Sequence, residues 1–199
     1  MSLRSLILSS MFACLLSIFA APCAFAHPHV FVDAKVSLVF DEKGLTGFEE
    51  EWIFDEMFGK MIIDDYDKDK NGVFDEKEAV KVKLEAFENV KEWDYFHEIS
   101  IQGKKFKVQW VKDFKVKIVK GLLIYTFFIP CHVPLDSQNK KINFSLSDPT
   151  IYTDLIFTKD SPYYKGNKDL YSLSHKLDDG VQPSGQVLAQ TLKIQLKRK

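Results

Sequence analysis

The first clear pattern in the chain is an alternation of apolar and polar side chains from His29 to Phe40. A period of two is typical of a half-buried β-strand, because successive side chains point to opposite faces of a sheet. A turn at residues 41–44 and a second strand from Leu45 to Ile53 are predicted to follow. The predicted buried face of the first strand consists of Val30, Val32, Ala34, Val36, Leu38 and Phe40.

Helical spacing replaces this alternation between about residues 54 and 93. Apolar side chains recur three or four positions apart on both sides of an acidic loop, residues 67–78. We therefore predict a helix–loop–helix hairpin. Its apolar positions are Phe54, Phe58, Met61 and Ile62 before the loop and Ala79, Val82, Ala86, Phe87 and Val90 after it.

From residue 96 onward the pattern returns to short β-segments. A strand from Leu122 is predicted to end before a proline-containing loop at 130–136, and the weakly patterned residues 161–179 are predicted as a long loop. These elements favour an α+β fold in a single domain, residues 27–199: a mainly antiparallel β-sandwich with an inserted EF-hand-like hairpin. The later strands are predicted at 98–101, 106–110, 114–119, 122–129, 142–146, 152–157 and 187–196.

Residues 1–26 have the organisation of an export signal. Arg4 precedes an apolar run from Leu6 to Ala21, and Ala24-Phe25-Ala26 is the small-residue pattern after which signal peptidase cleaves. The apolar run is too short for a bilayer-spanning helix, and no later stretch approaches the required length. We therefore expect a periplasmic protein that begins at His27 and has no transmembrane segment.

Charge and cysteine content narrow the possibilities further. The formal net charge is −1, and loss of Arg4 with the signal makes the mature chain slightly more acidic, so no nucleic-acid partner is expected. Two of the three cysteines, Cys14 and Cys23, lie in the predicted signal. Since Cys131 alone remains, no internal disulfide is expected and stability must come from the core.

The acidic loop DKDKNGVFDEKE matches an EF-hand calcium loop at every position. Such a loop takes side-chain oxygens at positions one, three and five, a glycine at the turn in position six and a glutamate at position twelve. An ordinary acidic turn would explain the composition but not this order. Because no second loop of this kind follows, we expect a structural calcium site. The predicted ligands are Asp67, Asp69, Asn71, the carbonyl of Val73, Asp75 and Glu78.

Cleavage after Ala26 would expose His27-Pro28-His29 at the new N-terminus. Alternation places the two imidazoles on one side of the entering strand, where they can share zinc, nickel, cobalt or copper. Pro28 has no N–H, which excludes the amino-terminal chelate that needs a deprotonated amide at residue two. A copper-binding histidine brace at His27 stays open, as does an exposed pair without a metal. Candidates for a further ligand are His97, Cys131, His132 and His175.

No catalytic motif is present in the chain: we find no G-x-S-x-G, no H-E-x-x-H and no glycine-rich phosphate loop. Clustered carboxylates at residues 49–51 and 55–56 are predicted to form a solvated strand face and the first turn of a helix. We therefore expect a protein that is not an enzyme.

Several motifs occur in one order: the start His27-Pro28-His29-Val30-Phe31-Val32-Asp33-Ala34, the segment Glu51-Trp52-Ile53-Phe54-Asp55-Glu56, the D-x-D-x-N-G loop, Tyr95-Phe96, and Asp148-Pro149-Thr150 with Tyr152. Together they resemble a family of bacterial exported proteins of unknown function, commonly labelled as the periplasmic component of an uncharacterised ABC-type transport system. The resemblance covers nearly all of the mature chain. It implies a metal-binding accessory of zinc, nickel or cobalt transport, with a membrane metal transporter as partner.

Two alternative functions remain open from the sequence. One is a copper oxidoreductase or carrier that uses the histidine brace at His27. The other is a protein-interaction module whose only ligand is calcium. A two-lobed substrate-binding protein is not expected, because residues 27–199 with a β-sandwich pattern do not fit that plan.

Overall fold

The computed structural model describes residues 29–179 and 189–199. The predicted export signal and His27 therefore lie outside the described residues. The strands are β1 (Val30–Phe40), β2 (Gly44–Phe54), β3 (His97–Ile101), β4 (Lys104–Phe106), β5 (Lys112–Val119), β6 (Leu122–Pro134), β7 (Lys140–Leu146), β8 (Thr153–Phe157), β9 (Tyr163–Gly166), β10 (Tyr171–Asp178) and β11 (Thr191–Arg198). The helices are α1 (Glu56–Tyr66) and α2 (Glu76–Lys81), followed by a π-helical turn (Val82–Phe87) and 3₁₀ segments (Glu88–Phe96 and Lys168–Leu170).

The strands form two sheets. The first sheet has the order β5-β6-β2-β1-β8, and the second has the order β10-β11-β7-β3-β4. Strands β8 and β9 share one edge of β1 and run parallel to it, beside its first and second halves respectively. The neighbouring pair β1–β2 is antiparallel, as are the pairs within the second sheet. The predicted mostly-β, sandwich-like fold is confirmed.

The core lies between the sheets. All six predicted inward-facing residues of β1 are buried, with at most 3% of their surface exposed. Across the sandwich, Phe48 of β2 packs on Phe144 of β7 with ring centroids 4.8 Å apart. Apolar alternation along β1 therefore predicted its core face correctly; Ser37, on the opposite face, is buried as well.

Three local predictions are wrong. A strand was predicted at 106–110, but β4 ends at Phe106. Val108 and Val111 are buried outside any strand, so the apolar positions there indicate burial and not β-structure. Strand β6 continues to Pro134 instead of ending before residue 130. Its pairing with β5 extends only to Phe128, so the later residues have a free edge on that side, where a residue without an N–H is tolerated.

The predicted long loop at 161–179 contains β9 and β10. Among the described strands, β10 is an edge strand that pairs only with β11, and four of its eight residues are exposed. An edge strand of this kind needs no regular apolar alternation, which is why its sequence gave a weak signal.

A helical segment connects β2 to β3. The side chain of Asp55 caps α1 by accepting the backbone N–H groups of Met57 and Phe58, each at 2.9 Å. After α2 the backbone tightens, and three successive residues, Asp94 to Phe96, take left-handed conformations with φ of 54, 53 and 63° before β3 begins. Within the described residues, no helix is both long and apolar enough to cross a membrane.

Candidate metal centre

Three carboxylates converge in the loop between α1 and α2. One oxygen each from Asp67, Asp69 and Glu78 lies within 4.8 Å of the others. Asp67 and Glu78 are only 4% and 9% exposed, whereas Asp69 is exposed. Among the described residues, this is the one group of three or more acidic, histidine or cysteine ligands close enough to share an ion.

Backbone amides fix the first half of the loop around Asp67. Its Oδ2 accepts the N–H of Gly72 at 2.9 Å, and its Oδ1 accepts the N–H of Asn71 at 3.2 Å. Gly72 has φ +78°, a left-handed conformation that a side chain would make costly. The glycine predicted at the sharp turn therefore lies where the chain wraps around the first acidic residue.

Glu78 closes the second half of the loop. Its Oε1 accepts the N–H of Lys68 at 2.8 Å and its Oε2 accepts the N–H of Asp75 at 3.0 Å. Asp75 in turn accepts the N–H of Glu78 at 2.8 Å, which completes a capping box at the start of α2. Glu78 therefore joins the beginning of the loop to the helix that follows it.

The electrostatic consequence of this arrangement is repulsion. Three carboxylates this close raise the free energy of the folded state unless a cation neutralises them. The buried ring of Phe74 anchors the loop to the core. A hard, oxygen-preferring cation such as calcium is the ion that this donor set fits.

The remaining predicted calcium ligands occupy the same loop. The side-chain amide of Asn71 donates to Asp69 at 2.7 Å, while its Oδ1 accepts the N–H of Val73 at 2.8 Å. Asp75 caps α2. The coordination roles of Asn71, Asp75 and the carbonyl of Val73 stay predictions.

His29 lies at the start of β1 with its ring exposed. Its imidazole is 5.1 Å from the ring of Tyr152, and its backbone N–H donates to the carbonyl of Tyr152 at 2.9 Å. His27 and Pro28 lie outside the described residues, so the shared metal site of His27 and His29 stays a prediction.

The other candidate ligands do not belong to any group of three that could share an ion within the described residues. Burial raises the pKa of the Cys131 thiol to about 12, which disfavours the thiolate that a metal needs. His132 follows it on β6, where successive side chains point to opposite faces, and is exposed. His175 on β10 has its Nδ1 2.6 Å from the hydroxyl oxygen of Tyr164.

His97 has an environment that sequence reasoning missed. Its imidazole is 2% exposed and lies with its Nε2 3.6 Å from Oε1 of Glu50, a carboxylate with no exposed surface. The other Glu50 oxygen accepts the indole N–H of Trp52 at 3.1 Å, and the Trp52 and His97 rings are stacked with centroids 6.1 Å apart. His97 therefore belongs to a polar cluster in the core.

Glu50 also corrects a prediction, because it was expected on a solvated strand face. Pairing of β2 with β6 shifts register between Leu45 and Gly47, and from there the even-numbered residues of β2 face the core. Its neighbours behave as predicted: Glu49 pairs with Lys165 and Glu51 with Lys35 on the outer face. Phe48, Trp52 and Phe54 recur at a period of two on the same face as Glu50, and this alternation is the signal that would have located it.

Comparison with known proteins places the chain in a family. The family described as "Protein of unknown function (DUF1007)" matches residues 12–180, and the chain belongs to it. An uncharacterized 15.5 kDa protein of Spirochaeta aurantia, in the trpE 3′ region, is 32% identical over 101 residues, which cover 51% of this chain and 71% of the relative. An uncharacterized protein of Haemophilus influenzae is 26% identical over 152 residues, covering 75% of this chain and 72% of the relative.

Proposed function

We propose that this member of the DUF1007 family is an exported, non-enzymatic metal-binding protein. In this account it holds one structural calcium ion in the loop of residues 67–78 and handles a transition metal through His27 and His29. Its partner is a membrane transporter of zinc, nickel or cobalt of the ABC type. The observation that carries the proposal is the convergence of the Asp67, Asp69 and Glu78 carboxylates within 4.8 Å.

Calcium suits the acidic loop because it takes six to eight oxygen ligands in a flexible geometry. Three carboxylates, the amide oxygen of Asn71, the carbonyl of Val73 and a water held by Asp75 would complete an EF-hand coordination shell. Each carboxylate oxygen that already accepts one N–H has a second lone pair for the ion. The loop joins α1 to α2, so a bound ion would stabilise the helical segment between β2 and β3.

A structural role follows from the expected affinity. Extracellular calcium modules bind at about 10⁻⁴ to 10⁻³ M, so a protein that meets millimolar calcium outside the cytoplasm stays largely occupied. Calcium at about 10⁻² M, which is ten to a hundred times these Kd values, would stabilise the folded state by roughly 1.4 to 2.7 kcal/mol. A site of this kind supports folding and does not respond to small changes in calcium.

The transition-metal role rests on His29 and on the sequence before it. The exposed imidazole of His29 leaves at least one ring nitrogen available to a metal, and His27 is two residues away in the chain. Zinc, nickel, cobalt and copper all accept imidazole. The transporter partner comes from the family resemblance alone, and both relatives are described as uncharacterized.

An experiment on processed protein tests the transition-metal part. Protein expressed with its own signal is checked by mass spectrometry for a start at His27, stripped with a chelator and titrated with zinc, nickel, cobalt and copper. Saturable binding with one ion per chain supports the proposal. Absence of binding by all four metals, with calcium binding intact, contradicts it.

A second candidate function has support of its own. The helical segment exposes a set of large apolar side chains, and Met57 on α1 is 71% exposed and Leu84 61% exposed. Exposed apolar side chains in one segment suit a protein-interaction surface. The alternative of a calcium-stabilised interaction module is therefore retained. The alternative of a copper oxidoreductase or carrier with a histidine brace at His27 stays a prediction, because His27 lies outside the described residues.

A further inference from the structure

An aromatic cavity opens between the helical segment and the loop before β8. It has a volume of about 320 Å³ and is lined mostly by aromatic rings. Trp52, Phe96 and Trp93 form one continuous wall: the Trp52 and Phe96 rings are 6.3 Å apart and 13° from parallel, and the Phe96 and Trp93 rings are 6.3 Å apart and 19° from parallel. The volume lies at the lower end of the range for small-molecule pockets.

The aromatic ring faces that line this cavity favour a cationic ligand. The face of an aromatic ring carries negative electrostatic potential, so it binds a cation that lies within about 6 Å of the ring centroid. Trp93 and Tyr152 line the cavity and are also partly solvent-exposed, so a ligand can reach them from outside. An apolar cavity alone would bind a neutral hydrocarbon equally well. A charged group in the cavity wall is needed for it to prefer a cation over a neutral ligand.

Asp148 supplies that charge. Among the residues that the structure describes, it is the one charged side chain that lines the cavity, and 8% of its surface is exposed. Its Oδ1 accepts the N–H and the hydroxyl of Thr150 at 2.8 and 2.6 Å, and its Oδ2 accepts the N–H of Thr153 at 2.9 Å. Three donors hold the carboxylate in place without neutralising it.

No basic side chain compensates this carboxylate within the described residues. The ion pairs formed there involve other acidic groups, and none reaches Asp148. A buried carboxylate without a counter-ion is unfavourable, and a bound cation would remove that cost. We propose that the cavity binds a small organic cation with apolar substituents, a quaternary ammonium group, whose charge lies against the aromatic wall and Asp148.

A matched pair of ligands tests the role of charge. Choline and 3,3-dimethylbutan-1-ol have the same shape, but only choline is charged. Both are titrated by calorimetry into calcium-loaded, processed protein. Because no transition metal is added, the result does not depend on whether His27 and His29 bind one. We expect choline to bind at least about tenfold more tightly than the alcohol. Equal or tighter binding of the alcohol overturns the charge assignment, and absence of binding by both overturns the site.

Two tryptophan variants locate the binding. Trp93→Ala removes part of the aromatic wall and is expected to weaken choline binding about tenfold. Trp110→Ala is the control, because Trp110 is similarly exposed but lies outside the cavity, with the Lys112 ammonium 5.0 Å from its ring. Unchanged choline affinity in Trp93→Ala would mean binding elsewhere and would contradict the proposal.

Asp148→Asn separates charge from shape. We expect it to weaken choline binding about tenfold and to leave the affinity for the neutral alcohol unchanged. If this variant does not fold, the ligand comparison on the wild-type protein and the Trp93→Ala variant still decide the question. A folded Asp148→Asn variant with wild-type choline affinity would exclude the carboxylate from the site.

Discussion

Glu78 accepts the backbone N–H of Lys68 at 2.8 Å, so the last residue of the acidic loop is bonded to the second. The same carboxylate accepts the N–H of Asp75 at 3.0 Å. These bonds hold the glutamate close to Asp67 and Asp69. Little rearrangement is then needed for calcium binding, which lowers the entropic cost of forming the site.

Replacing Glu78 with glutamine should abolish the calcium dependence of stability. We expect calcium to raise the melting temperature of the wild-type protein by about 3 to 10 °C, from roughly 1.4 to 2.7 kcal/mol of binding free energy. Glu78→Gln should show no calcium-dependent shift. Glu76→Gln, in the same first helical turn but outside the cluster, should keep the wild-type response. Differential scanning calorimetry with calcium or chelator measures this.

A pair of glycine variants separates backbone strain from calcium binding. Gly72 and Gly121 have φ of +78 and +83°, and a Cβ at either position meets no atom within 4 Å. Alanine should therefore destabilise both variants by about 1 kcal/mol in chelator. Only Gly72→Ala should also weaken calcium affinity, because the Gly72 N–H orients Asp67. Equal calcium affinities in the two variants would count against the turn at Gly72 as part of the site.

The histidine pair is tested by substitution at the N-terminus. In the double variant His27→Ala and His29→Ala, zinc or nickel affinity should fall at least about tenfold, since each lost imidazole removes a ligand. His132→Ala is the control, because this exposed histidine lies on β6. Calcium-dependent melting should be the same in all three proteins. An unchanged transition-metal affinity in the double variant would refute the assignment.

The buried cluster of Glu50, Trp52 and His97 gives a prediction about stability. His97→Ala removes a buried ring that stacks on Trp52 and leaves a cavity in the core, so the unfolding free energy should fall by about 2 to 5 kcal/mol. Glu50→Gln keeps an acceptor for the indole N–H and should change stability by less than about 1.5 kcal/mol. Urea denaturation measures both, with exposed His175→Ala as the control. A neutral His97→Ala would contradict this account of the cluster.

Sequence reasoning succeeded where local pattern and local structure coincide. Alternation in β1 identified its buried face, and the D-x-D-x-N-G order located the loop in which Asp67, Asp69 and Glu78 converge. In both cases residues close in the chain determine the arrangement. The apolar spacing after the loop also gave the buried positions Val82 and Phe87, although the backbone there is π-helical.

Other features depend on pairing between distant segments and could not be read from local pattern. His97 meets Glu50 only because the two sheets face each other. Strand β9 pairs with the second half of the β1 edge, beyond the residues of β1 that pair with β8. Each of these outcomes is fixed by tertiary contacts, which override local propensity.

Direct calcium titration of chelator-stripped protein tests the central claim most directly. Isothermal calorimetry should give one calcium ion per chain, with a Kd no weaker than about 10⁻³ M, and binding should disappear in Glu78→Gln. Magnesium at the same concentration should bind more weakly, because it requires a near-ideal octahedral geometry. If the folded wild-type protein takes up no calcium, or if Glu78→Gln binds it with unchanged affinity, the loop is not the site and the account is wrong.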